Sequence, residues 1–204
     1  MIPRSDVEIV VDVDPAVLTL ATPETVRYGI ACIHEYQNAV FAAANWVDAE
    51  ETIRVEAEEL ARLDGTCSTE DEFDEAAFEV RTENFLDFEF GVSGAVEALC
   101  AAGCPTFASC GGHGEGFGGR DRHPWILFAS DSMRLLILVR SAQMAGCGLQ
   151  LDERGLLVVL APSLSEMIEF GRLLIRSRND LDSISPMIDR AALVQETDDE
   201  DWWE

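Results

Sequence analysis

The sequence predicts an α+β protein, in which helices pack on one face of a mixed or antiparallel sheet and an acidic helical half comes first. Three observations lead to this class. Short segments alternate apolar and polar residues, or are continuously apolar, as strands are. Helix-start signals recur between these segments. In the second half, the order helix, strand, loop, strand, helix, hairpin, helix departs from the strict βαβ alternation of a parallel sheet.

The acidic half, residues 1–91, predicts two strands and three helices. Residues 7–13 and 85–90 alternate in the manner of strands. Three helix starts combine a capping side chain with a proline or with an acidic residue three positions on: Thr22-Pro23-Glu24, Asp48-x-x-Glu51 and Thr69-x-x-Glu72. We expect the first helix to run to Trp46 and the second to end at Gly65.

The second half is denser in signals. We expect Ser93 to cap a helix that ends at Gly103, and residues 104–109 and 125–129 to form strands. Asp131 then caps a helix that ends at Gly146. A hairpin over 149–160 and a helix opened by Ser163-x-x-Glu166 complete the pattern.

Charge divides the chain into three parts. The net charge is −25, and all 14 basic residues are arginine. Residues 1–91 carry a net charge of −17, residues 92–178 carry none, and residues 179–204 carry −8. We therefore expect an acidic strand and three-helix region, a neutral α+β module, and an acidic, loosely held tail whose Trp202 and Trp203 dock or serve as a partner motif.

Composition disfavours several classes of function. An acidic surface repels nucleic acid and anionic membranes, so direct nucleic-acid binding is disfavoured and a basic protein partner is favoured. A salt-adapted host would also produce an acidic chain without lysine, although it predicts acid over the whole surface. No apolar run follows the first residues and none is long enough to span a membrane, so six cysteines indicate reduced thiols in a cytoplasmic protein.

Reactive side chains concentrate in one glycine-rich loop. Six of the nine positions 111–119 are glycine, and Ser109, Cys110, His113 and His123 lie in or beside this run. Loops that hold reactive side chains are common sites of function. The sequence therefore predicts a site here, although it does not fix a reaction.

This segment resembles a family of small, largely uncharacterised bacterial and phage proteins. Their helix ends in glycine and leads to a Thr-x-x-Ser-Cys-x-Gly-His-Gly strand and loop. The matching positions are Gly103, Thr106, Ser109, Cys110, Gly112, His113 and Gly114. The segment is more distantly similar to the wybutosine-synthesis tRNA methyltransferases. Those have arginine at the position of His113 and a different spacing of the following tryptophan, so the resemblance does not imply methyl transfer.

One interpretation is a thiol site for a small anionic or nucleotide-like ligand. Cys110 would be the nucleophile and His113 the general acid or base, with Glu115 or Asp121 orienting a histidine and Ser109 orienting the thiol. Backbone amides and cationic side chains would hold the anion, as in a nest. The predicted ligand-binding residues are Ser109, Gly111, Gly112, Gly114, Arg120, Arg122 and His123.

A second interpretation is a zinc site, because thiolate and imidazole are zinc ligands. The candidate ligands are Cys104, Cys110, His113 and His123, with Cys100 or Cys67 as substitutes. A third interpretation is purely structural, with buried cysteines and a tight glycine loop.

A fourth interpretation uses the acidic helices instead. Their carboxylates could bind a basic partner, as an inhibitor, an immunity protein or a nucleic-acid mimic does. This interpretation requires that the carboxylates lie on one surface of the protein.

Overall fold

The computed structural model describes residues 2–22, 41, 43–84, 89–112 and 123–189, with residues 81–84 as backbone only. Within these residues the chain forms six α-helices and one five-stranded mixed sheet, which confirms the predicted α+β class. The helices are α1 (Trp46–Thr66), α2 (Glu70–Asn84), α3 (Ser93–Ala101), α4 (Ser132–Ala145), α5 (Leu164–Arg176) and α6 (Arg178–Asp182). The strands are β1 (Val11–Asp12), β2 (Thr106–Cys110), β3 (Trp125–Phe128), β4 (Gly148–Leu151) and β5 (Leu157–Leu160).

The sheet has the strand order β1-β4-β5-β3-β2. β1 is parallel to β4, whereas β4, β5, β3 and β2 are successively antiparallel. β2 is therefore an edge strand, and its last residue, Cys110, pairs with Trp125 of β3.

The helices cover one face of the sheet. Residues that lie opposite each other in neighbouring strands share a face. Leu149, Val159 and Ile126 form one such row, and all three are fully buried. On the same face, Thr106 lies 3.5 Å from the sulfur of Cys100 on α3, measured between Oγ1 and Sγ. This row therefore faces the helical layer.

The opposite face is less covered. Its rows include Gln150, which is exposed, and Leu160, Trp125 and Cys110, which are half-buried. Because successive side chains of a strand point to opposite faces, Cys110 belongs to this less covered face.

Local capping signals place several boundaries where the sequence predicts them. Asp131 accepts hydrogen bonds from the amides of Met133 and Arg134, and Gly146, with φ of +76°, ends α4. The side chains of Thr69 and Ser163 likewise cap α2 and α5. The predicted hairpin is present as β4 and β5.

Several boundaries differ from prediction; β2, for example, spans Thr106–Cys110 rather than 104–109. The first strand is two residues long, Val11–Asp12, rather than 7–13. Asn45, not Asp48, caps α1 by accepting from two amides, so Trp46 opens this helix instead of ending the one before it. Gly65 does not end α1, which continues to Thr66. Ser93 is the first residue of α3 and makes no capping bond; its hydroxyl donates to the carbonyl of Glu89 instead.

A buried carboxyl group caps α3 in place of Ser93. Glu56 of α1 is fully buried, and it accepts hydrogen bonds from the amides of Gly91, Ser93 and Gly94. Burial raises its pKa to about 8, although the three amides lower it. Glu56 thus joins the acidic half to the helix that leads into β2.

A buried guanidinium holds the other end of α3. Arg134 of α4 donates to the carbonyl of Ala102 (2.7 Å), to the carboxylate of Asp131 and to the carbonyl of Ser185 (3.2 Å). Because its side chain is buried, these acceptors replace the water that its charge loses on folding. Arg134 thereby connects α3, α4 and the segment after α6.

Other predictions lie outside the described residues. They are most of the first predicted helix and residues 85–88 of the predicted strand 85–90. The last two residues of that predicted strand, Glu89 and Phe90, are described and form a turn. Within the described part of the chain, no helix has the length and apolar character needed to cross a membrane.

Candidate functional site

The Cys110 thiol lies at the carboxyl end of the edge strand β2. It is half-buried, whereas Cys100, Cys104 and Cys147 are buried. Its partner across the sheet is Trp125, on the face away from the helices. Cys110 is thus partly exposed, as a reactive cysteine is expected to be.

The two ends of the loop meet directly after Cys110. The amide of Gly112 donates to the Cys110 sulfur at 3.4 Å. Gly112 has φ of +80°, and a Cβ added to it would lie 3.0 Å from the carbonyl carbon of His123. This close approach requires glycine. It also places the backbone of His123 opposite Gly112, two residues beyond the Cys110–Trp125 pair.

Glu89 is a member of this site that the sequence did not indicate. The amide of Gly111 donates a hydrogen bond to Oε2 of the Glu89 carboxylate. Glu89 lies in the turn that precedes α3, and Glu56 accepts from Gly91 and Ser93 in the same segment. A chain of contacts therefore runs from α1, through this turn, to the residue after Cys110. No local pattern predicts a contact across 22 residues.

The described glycine amides do not form an open nest. The Gly111 amide binds a carboxylate and the Gly112 amide binds the thiol, so each already has a partner. An anionic ligand at Gly111 would have to displace Glu89. This differs from the expectation that both amides await a ligand.

Ser109 does not fit its expected role. It pairs with Ile126 and Cys110 pairs with Trp125, so the two side chains lie on opposite faces of the sheet. The Ser109 hydroxyl is therefore directed away from the thiol that it was expected to orient.

The central loop positions fall outside the described residues. They comprise His113, Gly114, Glu115, Arg120, Asp121 and Arg122. The structure brings together Cys110, Gly111, Gly112, Glu89 and the backbone of His123. The roles expected of the histidine and the arginines in the loop stay predictions.

The candidate zinc ligands that the structure describes do not converge. Within the described ranges, no three His, Cys, Asp or Glu side chains are placed to hold a metal ion. Cys104 is fully buried, with its sulfur 3.5 Å from the Ser130 hydroxyl, and burial raises its pKa to about 12. Its substitute Cys100 contacts Thr106 in the same interior.

Buried packing explains three of the cysteines. Burial also raises the pKa of Cys147 to about 12, and its sulfur lies 3.4 Å from the carbonyl oxygen of Glu166. Cys100, Cys104 and Cys147 are therefore core residues, as the structural interpretation expects. Cys110 and Cys67 are the half-buried thiols among the described residues.

Comparison with known proteins adds no assignment. No family model, curated protein or solved structure matches this chain.

Proposed function

We propose that this protein binds a small anionic or nucleotide-like ligand at the loop between β2 and β3. This loop begins with Gly111 and Gly112, directly after Cys110, and His123 lies at its other end. Cys110 is the group that meets the reacting part of the ligand. If the ligand is transformed, Cys110 is the nucleophile and His113 supplies or removes the proton.

The position of the Cys110 thiol carries this proposal. Cys110 is half-buried at the end of an edge strand, and the Gly112 amide donates to its sulfur. Three other cysteines are buried in the core, so the partial exposure of Cys110 distinguishes it from them.

The anionic character of the ligand rests on two further observations. The Gly111 amide holds a carboxylate oxygen, that of Glu89, so this position accepts an anionic oxygen. The loop sequence supplies Arg120 and Arg122 within a segment of no net charge, whereas the chain as a whole carries −25. Arginine is suited to carboxylate and phosphate groups.

Thermal unfolding with added anions tests the proposal. A ligand that binds the folded state raises the melting temperature. We expect inorganic phosphate, pyrophosphate or ATP to raise that of the wild-type chain, and Cys110→Ala to lose most of the shift. Cys67→Ala is the matched control, because Cys67 is also a half-buried free thiol.

Two results would contradict the proposal. One is that none of the three anions raises the melting temperature of the wild-type chain. The other is that Cys110→Ala keeps the full shift while unfolding far more easily without ligand, which would make the thiol a packing residue.

A second candidate function is binding of a basic partner through α2. Asp71, Glu75 and Glu79 are exposed and recur every four residues, so they lie along one side of this helix. The three α2 carboxylates therefore give this side of the helix a negative charge. On α1, Arg54 pairs with Glu51 and Glu58.

Charge-neutralising variants separate this function from the thiol site. We expect D71N/E75Q/E79Q to weaken binding of an oligoarginine peptide at low salt more than E50Q/E51Q/E58Q, which removes the same number of exposed charges from α1. Equal weakening by the two variants would assign the binding to net charge instead of to α2.

A further inference from the structure

The exposed side of α4 is apolar along most of its length. Met133, Leu136 and Met144 are 69%, 77% and 62% exposed. With the exposed Arg140 they recur at intervals of three and four residues, so they share one side of the helix. We call these four residues the α4 stripe. It spans about 16 Å at the rise of an α-helix.

The α4 stripe is also unusual in its charge. Of the six α-helices among the described residues, α4 alone has no Asp or Glu, in a chain with 39 acidic residues. Arg140 has no ion-pair partner among the described residues. An apolar surface with one cation and no acid is suited to an occupant that is apolar and negatively charged.

The carboxyl-terminal segment of this chain has that chemistry. Residues 190–204 carry Trp202 and Trp203, preceded by four consecutive acidic residues at 198–201. Tryptophan rings pack well against methionine thioethers and against a guanidinium. Acidic residues beside them supply the counter-charge for Arg140.

The described chain also contacts α4 shortly before residue 190. Arg134 of α4 donates to the carbonyl oxygens of Ile184 and Ser185, and Ile188 is buried in the core. The segment that begins at residue 190 therefore follows five residues after a contact with this helix. From Asp189 to Trp202 an extended chain covers up to about 45 Å, which exceeds the length of the stripe.

We propose that residues 190–204 of the same chain dock on the α4 stripe, with Trp202 or Trp203 against Met133, Leu136 and Met144 and the acidic run beside Arg140. Tethering through the anchored segment before residue 190 favours this occupant over a separate molecule, because it raises the local concentration of the two tryptophans. The proposal is independent of the thiol site.

Tryptophan fluorescence of the full-length chain tests this docking. Subtracting the spectrum of W202F/W203F from that of the wild-type chain isolates the two terminal indoles, because both proteins contain Trp46 and Trp125. We expect this difference spectrum to have the blue-shifted emission of a buried indole. Leu136→Glu and, separately, Arg140→Glu should shift it to the emission of indole in water.

Val47→Glu is the matched control. Val47 is 75% exposed on α1, so the substitution places the same charge at an equally exposed apolar position on another helix. It should leave the difference spectrum unchanged. Circular dichroism of each variant verifies that the fold is kept, and Met144→Glu repeats the test if Leu136→Glu fails to fold.

Three outcomes would overturn the proposal. The terminal indoles emit as in water in the wild-type chain, so nothing is docked. They emit as buried indoles, but Leu136→Glu and Arg140→Glu leave their emission unchanged, so they dock elsewhere. Their emission shifts with protein concentration, so the occupant is the terminus of a second copy.

Discussion

Glu56 on α1 caps α3 by accepting a hydrogen bond from the backbone amide of Ser93 at 2.9 Å. It accepts two more, from Gly91 at 2.8 Å and from Gly94 at 3.2 Å. The first amides of a helix have no partner within the helix. A side chain distant in sequence therefore does what an N-cap residue usually does, and it links the acidic helices to the strand that carries Cys110.

Replacing Glu56 should lower the free energy of unfolding of the chain and change how that free energy depends on pH. Burial raises the pKa of Glu56 from 4.5 to about 8, with a further contribution from the nearby carboxylate of Glu97. The folded state therefore binds the proton more tightly than the unfolded state. The contribution of Glu56 to stability is full below pH 4.5 and is lost as the pH rises towards 8.

Urea unfolding across that pH range measures this effect. In the wild-type chain the free energy of unfolding should fall as the pH rises, by at most about 1.4 kcal/mol per pH unit from Glu56. Glu56→Gln should flatten this part of the slope, and Glu56→Ala should cost about 3 kcal/mol by leaving three amides without an acceptor. Glu58→Gln, an exposed change on the same helix, is the control. An unchanged slope in Glu56→Gln would contradict the prediction.

Replacing Glu89 should make the site more receptive to anions. The Glu89 carboxylate lies on the Gly111 amide, next to Cys110, so it repels an anionic reagent and occupies its position. We expect Glu89→Gln to raise the alkylation rate of Cys110 by iodoacetate relative to iodoacetamide, by about fivefold for one charge at contact distance. Mass spectrometry of the Cys110 peptide gives this ratio.

Cys67 in the same sample serves as the internal control for that measurement. It is half-buried, and its contacts are with Thr66 and the carbonyl of Glu72 rather than with Glu89. Its iodoacetate-to-iodoacetamide ratio should not respond to Glu89→Gln. If the ratio at Cys110 also stays constant, the Glu89 charge does not act on the thiol.

Replacing Arg134 should be among the most damaging changes to the chain. Its buried guanidinium serves Ala102, Asp131 and Ser185, so Arg134→Gln leaves the Asp131 carboxylate and two carbonyls poorly paired. We expect a loss of about 3–5 kcal/mol in the free energy of unfolding. Arg140→Gln, an exposed change on the same helix, should cost under about 0.5 kcal/mol. Comparable losses in the two variants would refute the role of the buried contacts.

Sequence signals within a few residues predicted much of this fold. As expected, α4 begins after Asp131 and ends at Gly146, and α5 begins after Ser163. These boundaries are predictable because a capping residue and the amides that it binds are neighbours in the chain. The capping role of Glu56 was not predicted, although its position in the sequence indicates that it is buried. It lies on the apolar side of α1 with Ala49, Ile53, Leu60 and Leu63, where a carboxylate needs a buried partner.

The candidate site was predictable only in part. Cys110 and its glycines stand out in the sequence, and the structure places Cys110, half-buried, at a strand end. The Glu89 contact depends on how α3 returns the chain to β2, which no local pattern encodes. Ser109 and Cys110 face opposite sides because they are neighbours in one strand, and the sequence analysis missed this because it ended the strand at Ser109.

Gly65→Ala should stabilise the chain, contrary to what its expected role as a helix terminator implies. Gly65 lies inside α1, its φ is not positive, and a Cβ added to it would meet nothing within 4 Å. Alanine loses less conformational entropy than glycine on entering a helix, so we expect a gain of about 0.5–1 kcal/mol in urea unfolding. Gly146→Ala makes the opposite case, because Gly146 ends α4 with φ of +76°. It should lose about 1 kcal/mol, since a side chain is strained in that conformation even where space is open. A loss in Gly65→Ala would mean that α1 ends before residue 65 in solution, as the sequence alone suggests.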